Sequence, residues 1–219
     1  NGITLAGVGS GTIVVHCEVA FNLGDGFELF GGTVSLWFCS AIFCGDDAFD
    51  TDEGYQGKMQ FIFALVGSEG HHATEMDSKN NKQPRSHPQV YGATFIGGGA
   101  NNVDGDAIMR LREGTGGEFA NIILTHSVSA GLLNNDCGNE ERTGSLSDVD
   151  RATDFPDYLF FSSNNILYDS HGSSNDIINQ CGSFTTTPTP VTDDPMLRLM
   201  PLETDHTVFM VDPRPELDG

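Results

Sequence analysis

Gly24 to Gly57 reads GDGFELFGGTVSLWFCSAIFCGDDAFDTDEGYQG, and together with the residues just before it this stretch repeats one pattern: a small-residue start, an alternating apolar run and an acidic turn. In the first copy Gly11-Thr12 opens Ile13, Val15, Cys17 and Val19 and leads to Gly24, Asp25, Gly26, Phe27 and Glu28. In the second, Gly32-Thr33 opens Val34, Leu36 and Phe38 and leads to Gly45, Asp46, Asp47, Phe49 and Asp50. The offset is 21 residues at the glycines and first aspartates and 22 at the phenylalanines. A repeat of this length is too short for a helix pair and suits one turn of a parallel β-helix, with coils of about 20–25 residues. Like side chains are then expected to stack along the axis: Phe27 on Phe49, and Ile13, Val34 and Met59 as an inward row.

Outward from this stretch the same period-2 pattern continues in both directions. Ile3 and Leu5 look like the end of a preceding coil. Met59, Phe61, Phe63 and Leu65 alternate with Ile62, Ala64 and Val66, so both faces of that strand are apolar, and the polar loop over residues 69–88 is the expected cover. Apolar alternation resumes around Val90 to Ile96, Ala107 to Leu111, Phe119 to Val128 and Leu159 to Leu167. A second excursion, residues 134–157, interrupts it, with one short helix expected at residues 145–152. The 27 glycines suit many tight turns. Residues 1–183 are thus expected to form one all-β solenoid with two long loop excursions. The Thr/Pro tract at 184–195 should be an extended linker, and residues 196–219 a strap along the stack or an arm to a neighbouring copy.

Lys+Arg 10 against Asp+Glu 31 gives a net charge of −21, which repels nucleic acid and anionic membrane surfaces and favours cations. No Lys or Arg precedes Lys58, so one end is strongly negative. No apolar run reaches the roughly 20 residues of a membrane span, and no membrane insertion is expected. A chain starting at Asn1 without a signal peptide is expected to be a processed or excised product. The five cysteines match no zinc spacing. Cys17 and Cys39, one coil apart, are one candidate disulfide and Cys137 with Cys181 the other, leaving one thiol over and fitting an extracellular or cell-surface setting.

Several stretches carry a family likeness: residues 7–12 (GVGSGT), 24–34 (GDGFELFGGTV), 46–61 (DDAFDTDEGYQGKMQF) and 110–114 (RLREG). On these the chain resembles secreted, largely uncharacterised right-handed parallel β-helix repeat proteins of bacteria and aquatic microbes. The likeness spans about residues 1–170 and is most specific in the first 65. It implies the fold and an extracellular address, and brings no catalytic residues with it.

The residues themselves offer three kinds of chemistry. Asp25, Glu28, Asp46, Asp47, Asp50, Asp52 and Glu53 supply hard oxygen ligands at the density calcium prefers, without the spacing of an EF-hand. Calcium is the one cofactor expected. His71-His72, with Glu75, Asp77 and His87 near in sequence, suggests a transition metal, although adjacent residues on an extended strand point apart. Arg110 and Arg112 beside Glu113, with Lys58 bordering the acidic turn, invite comparison with calcium-dependent polysaccharide lyases or epimerases, against a simpler reading as salt bridges. No Ser-His-Asp, phosphate-loop or zinc motif is present. Thr185, Thr186, Thr187, Thr189 and Thr192 are candidate O-glycosylation sites. The leading expectation is a non-enzymatic structural or adhesive protein, self-associating end to end as a filament or binding cell-surface carbohydrate. A calcium-dependent polysaccharide-active enzyme is the alternative.

Overall fold

The computed structural model describes residues 1–78, 84–99, 102, 104–127, 129–136, 159–162, 164–168, 177–181, 195 and 197. Within them the chain is a right-handed parallel β-helix of three sheets, with no α-helix among the described residues. Sheet A stacks β1 (Ile3–Ala6), β4 (Phe27–Phe30), β7 (Phe49–Asp52), β10 (Thr74–Met76), β13 (Ala107–Leu111), β16 (Ala130–Asn134) and β19 (Ile177–Asn179) in that order. Sheet B stacks β2 (Ile13–Val15), β5 (Ser35–Trp37), β8 (Lys58–Gln60), β11 (Gln89–Tyr91), β14 (Gly117–Ala120) and β17 (Leu159–Phe161). Sheet C stacks β3 (Glu18–Ala20), β6 (Ser40–Ile42), β9 (Phe63–Leu65), β12 (Thr94–Ile96), β15 (Ile123–Thr125) and β18 (Ile166–Tyr168). Each strand pairs in parallel with the strand one coil away, so backbone bonds are satisfied between coils.

The strands are short because the chain must bend three times per coil. From sheet B to sheet C the bend is two residues long in the first five coils. Its first residue is left-handed: His16 (φ 53), Phe38 (φ 53), Phe61 (φ 54), Gly92 (φ 68) and Asn121 (φ 56). That conformation reverses the side-chain alternation and lets the second residue turn inward, as the burial of Cys39, Ile62, Ala93 and Ile122 shows. A bulky side chain is costly there, but His16, Phe38 and Phe61 recover contact by stacking, with centroids 5.0 Å apart at each step. From sheet A to sheet B the length varies, from residues 31–34 to residues 77–88 and 135–158.

This bend corrects two sequence expectations. The doubly apolar run from Met59 to Leu65 is not one strand but β8 and β9 meeting at Phe61-Ile62, so no loop is needed to cover it. Ile13 is likewise not an inward residue: it is 76% exposed, and the inward row is Val14, Leu36, Met59 and Val90. The Phe27–Phe49 ladder is as expected, with fully buried rings stacked at 5.1 Å; each such ring contributes roughly 1.5–3 kcal/mol by burial. Tyr55, also fully buried, donates its hydroxyl to the Val34 carbonyl at 2.7 Å. Any Cβ on Gly57 would strike that carbonyl and the tyrosine ring, so a glycine is required.

Cys17, Cys39 and Cys44 are thiols, which corrects the Cys17–Cys39 pairing. The two do lie on neighbouring rungs, Ser40 N donating to Cys17 O at 3.0 Å. In-register side chains leave parallel strands side by side at roughly 4.8 Å, whereas a disulfide draws its Cβ atoms to about 3.8 Å. Cys137, partner of the second candidate pair, lies outside the described residues, as do residues 145–152 and Thr185 to Thr192. The first excursion is shorter than expected, because Thr74–Met76 within it is a full rung of sheet A. Leu197 packs against Ile42, Phe43, Leu65 and Ile96 on the outer face of sheet C.

Candidate cation-binding face

Sheet A buries alternate residues, Phe27, Phe49, Thr74 and Met109 on one inward row and Leu29, Thr51, Met76 and Leu111 on the next. The register therefore places Thr4, Glu28, Asp50, Glu75 and Arg110 in one outward row. Beside it run Asp52, Asp77 and Arg112, since Asp77 N donates to Thr51 O and Arg112 N to Met76 O. At the corner where sheet A begins, Asp25, Asp47 and His72 follow one another on successive coils.

Glu75 holds both arginines. Arg110 Nη1 lies 3.1 Å from Glu75 Oε1 and Arg112 Nη1 3.2 Å from Oε2, while Arg112 Nε reaches Asp77 Oδ2 at 3.1 Å. Asp77 and Glu75 thereby share two guanidinium charges. Burial pulls Arg112 down, but Asp77 and Glu75 outweigh it and hold the guanidinium above its ordinary value. Burial still pushes Asp77 up to about 8, with Glu75 adding to it against Arg112.

One and two coils earlier no guanidinium is available. Asp25, Glu28 and Asp50 bring one carboxylate oxygen each within 4.8 Å of one another, and Asp25, Asp46 and Asp47 do the same. Burial, then Asp77, Asp47 and Asp25, raises Asp50 to about 10; burial, then Asp46 and Asp47, raises Asp25 to about 6. Among the described residues Asp50 Oδ1 and Asp77 Oδ1 are buried without a hydrogen-bond partner. Crowded, desolvated and partly unpartnered oxygens of this kind are what a hard divalent cation satisfies.

His72 is the corner's internal cation. It is 1% exposed, with Nδ1 2.7 Å from Asp47 Oδ1 and Nε2 2.9 Å from Asp106 Oδ1. Burial alone would lower it, but the hydrogen bonds to Asp106 and Asp47 carry it up to about 9. His71 pairs with Asp46 at 3.2 Å, half in solvent.

Five of the seven expected calcium ligands, Asp25, Glu28, Asp46, Asp47 and Asp50, are thus brought together. Asp52 and Glu53 are not: Asp52 faces outward at the far end of β7, accepting from Glu53 N at 2.6 Å, and Glu53 sits in a left-handed turn. His71 and His72 do share a carboxylate, Asp47, because they lie at a corner rather than on a straight strand. Glu75, Asp77 and His87 are absent from the described three-residue clusters, and Lys58 stands on sheet B, away from the acidic row. The role of Asp106 escaped the sequence reading; its signal was the coil-to-coil spacing, visible once Thr74–Met76 is counted as a rung.

No curated protein and no solved structure matches the chain. The family model described as a pectate-lyase like β-helix domain matches residues 1–181, and the chain belongs to that family.

Proposed function

We propose that this chain is a non-catalytic, extracellular adhesive element that holds calcium on the outer face of sheet A and, through it, binds acidic polysaccharide. The observation that carries this reading is the Asp25–Glu28–Asp50 cluster, whose oxygens lie within 4.8 Å of one another with Asp50 Oδ1 unpartnered among the described residues. A polyanion meeting a chain of net charge −21 is repelled unless a divalent cation stands between them. Calcium satisfies both partners at once.

The second reading, a calcium-dependent lyase or epimerase, draws on Arg110 and Arg112 standing one rung beyond the acids. Against it, both guanidiniums are engaged by Glu75, and the carboxylates around Arg112 oppose its deprotonation, so neither is poised as a base. The test is retention on immobilised polygalacturonate or alginate with calcium and with EDTA, alongside ultraviolet detection of unsaturated uronic ends. Calcium-dependent retention without product supports adhesion. Product formation supports the second reading, and retention indifferent to calcium refutes both.

A further inference from the structure

We infer a transition-metal site, of the zinc class, at the corner between sheets C and A, built from Asp47, His71 and His72 with Asp46 completing it. Ligand-capable atoms of Asp47, His71 and His72 all lie within 4.8 Å of one another, and Asp46 Oδ1 stands 3.2 Å from His71 Nδ1. Two imidazoles and two carboxylates form the mixed nitrogen and oxygen set that zinc accepts tetrahedrally, whereas calcium takes oxygen ligands alone.

The corner geometry makes the set possible. On a straight strand His71 and His72 would project to opposite faces. Here their rings lie 5.0 Å apart at 49°, one at the surface and one in the interior. Asp46 and Asp47 on the coil before are equally adjacent, so two consecutive residues on each of two coils face each other.

Asp106, one coil further on, supplies an independent observation. Its Oδ1 lies 2.9 Å from His72 Nε2, while Nδ1 faces Asp47. A metal-bound histidine is characteristically oriented in this way, its far nitrogen donating to a carboxylate. Metal on Nδ1 would displace one proton and leave the Nε2–H···Asp106 bond intact. The site shares no residue with the Asp25–Glu28–Asp50 cluster proposed for calcium, although Asp46 and Asp47 each bring an oxygen within 4.8 Å of one on Asp25, and its nitrogen ligands let it be tested without calcium.

The test is titration of the whole chain with cobalt(II), whose visible spectrum reports coordination, followed by zinc competition. One equivalent with the intense bands of four-coordinate cobalt is expected. His71→Ala, at a half-exposed position compatible with folding, should abolish those bands; Asp106→Asn should weaken binding about 10–100-fold; Asp50→Asn should leave it unchanged. Identical titrations for the unmodified chain and His71→Ala would overturn the inference and leave His72 as an ion-pair corner only. So would the pale spectrum of all-oxygen coordination, or loss of cobalt binding in Asp50→Asn.

Discussion

Replacing Asp50 by Asn should make the metal-free protein more stable while removing its response to calcium. Asp50 sits in the outward acidic row, and burial together with Asp77, Asp47 and Asp25 holds its carboxyl near 10 instead of 3.8. The sign follows from linkage. The unfolded chain releases this proton above about pH 4 while the folded chain keeps it, so rising pH favours unfolding until the folded value is passed. At pH 7 the gap above the unfolded value is about three units at about 1.36 kcal/mol each, an upper figure near 4 kcal/mol. Because Asp77 shares the repulsion, a gain of about 2–4 kcal/mol is expected for Asn, which needs no proton. For a chain of this size that corresponds to a Tm rise of about 5–15 °C. The assay is thermal unfolding in EDTA at pH 5, 7 and 8, repeated with excess calcium. Asn should flatten the pH slope and abolish the calcium shift. An unchanged or lower Tm in EDTA at pH 7 would refute the account of a half-buried carboxylate with one buried oxygen unpartnered among the described residues.

The unmodified chain in EDTA should lose stability steadily from pH 5 to pH 9. Asp50 and Asp77 are raised to about 10 and 8, and His72, raised to about 9, contributes stability that is full below about pH 6.5 and lost as pH passes its folded value; a denaturant midpoint measured across that range that rises with pH would contradict this. Phe49→Ala, removing a fully buried ring stacked on Phe27, should cost about 3–5 kcal/mol in urea unfolding. Tyr55→Phe leaves the shape intact but orphans the Val34 carbonyl, and about 1–2 kcal/mol should be lost in the same assay.

The coil repeat was legible because its markers are local: Phe27 and Phe49 with their acidic followers recur at nearly constant spacing in the first coils. Bend positions were not, because a left-handed Phe38 or Phe61 looks like one more apolar residue in an alternating run. That single change of phase put Ile13 on the wrong face and made two strands look like one. The acidic half of the candidate site could be read for the same reason as the repeat, since Asp25, Asp46 and Asp47 share a place in consecutive coils. Its cationic half could not: the register joins Asp50 to Glu75 and Glu75 to Arg110 across 25 and 35 residues, and no constant period reaches that far.

Coil length varies most at one seam, the passage from sheet A to sheet B, whose connections run from residues 31–34 to residues 135–158; the passage from C to A varies less, and that from B to C stays two residues long in the first five coils. New peptide can therefore be added at that seam without shifting a rung. Asp52, Asp77 and Arg112 lie at the end of sheet A that borders it. Inserts there would border the charged face, so what approaches it can be changed while the rungs that carry its carboxylates stay fixed.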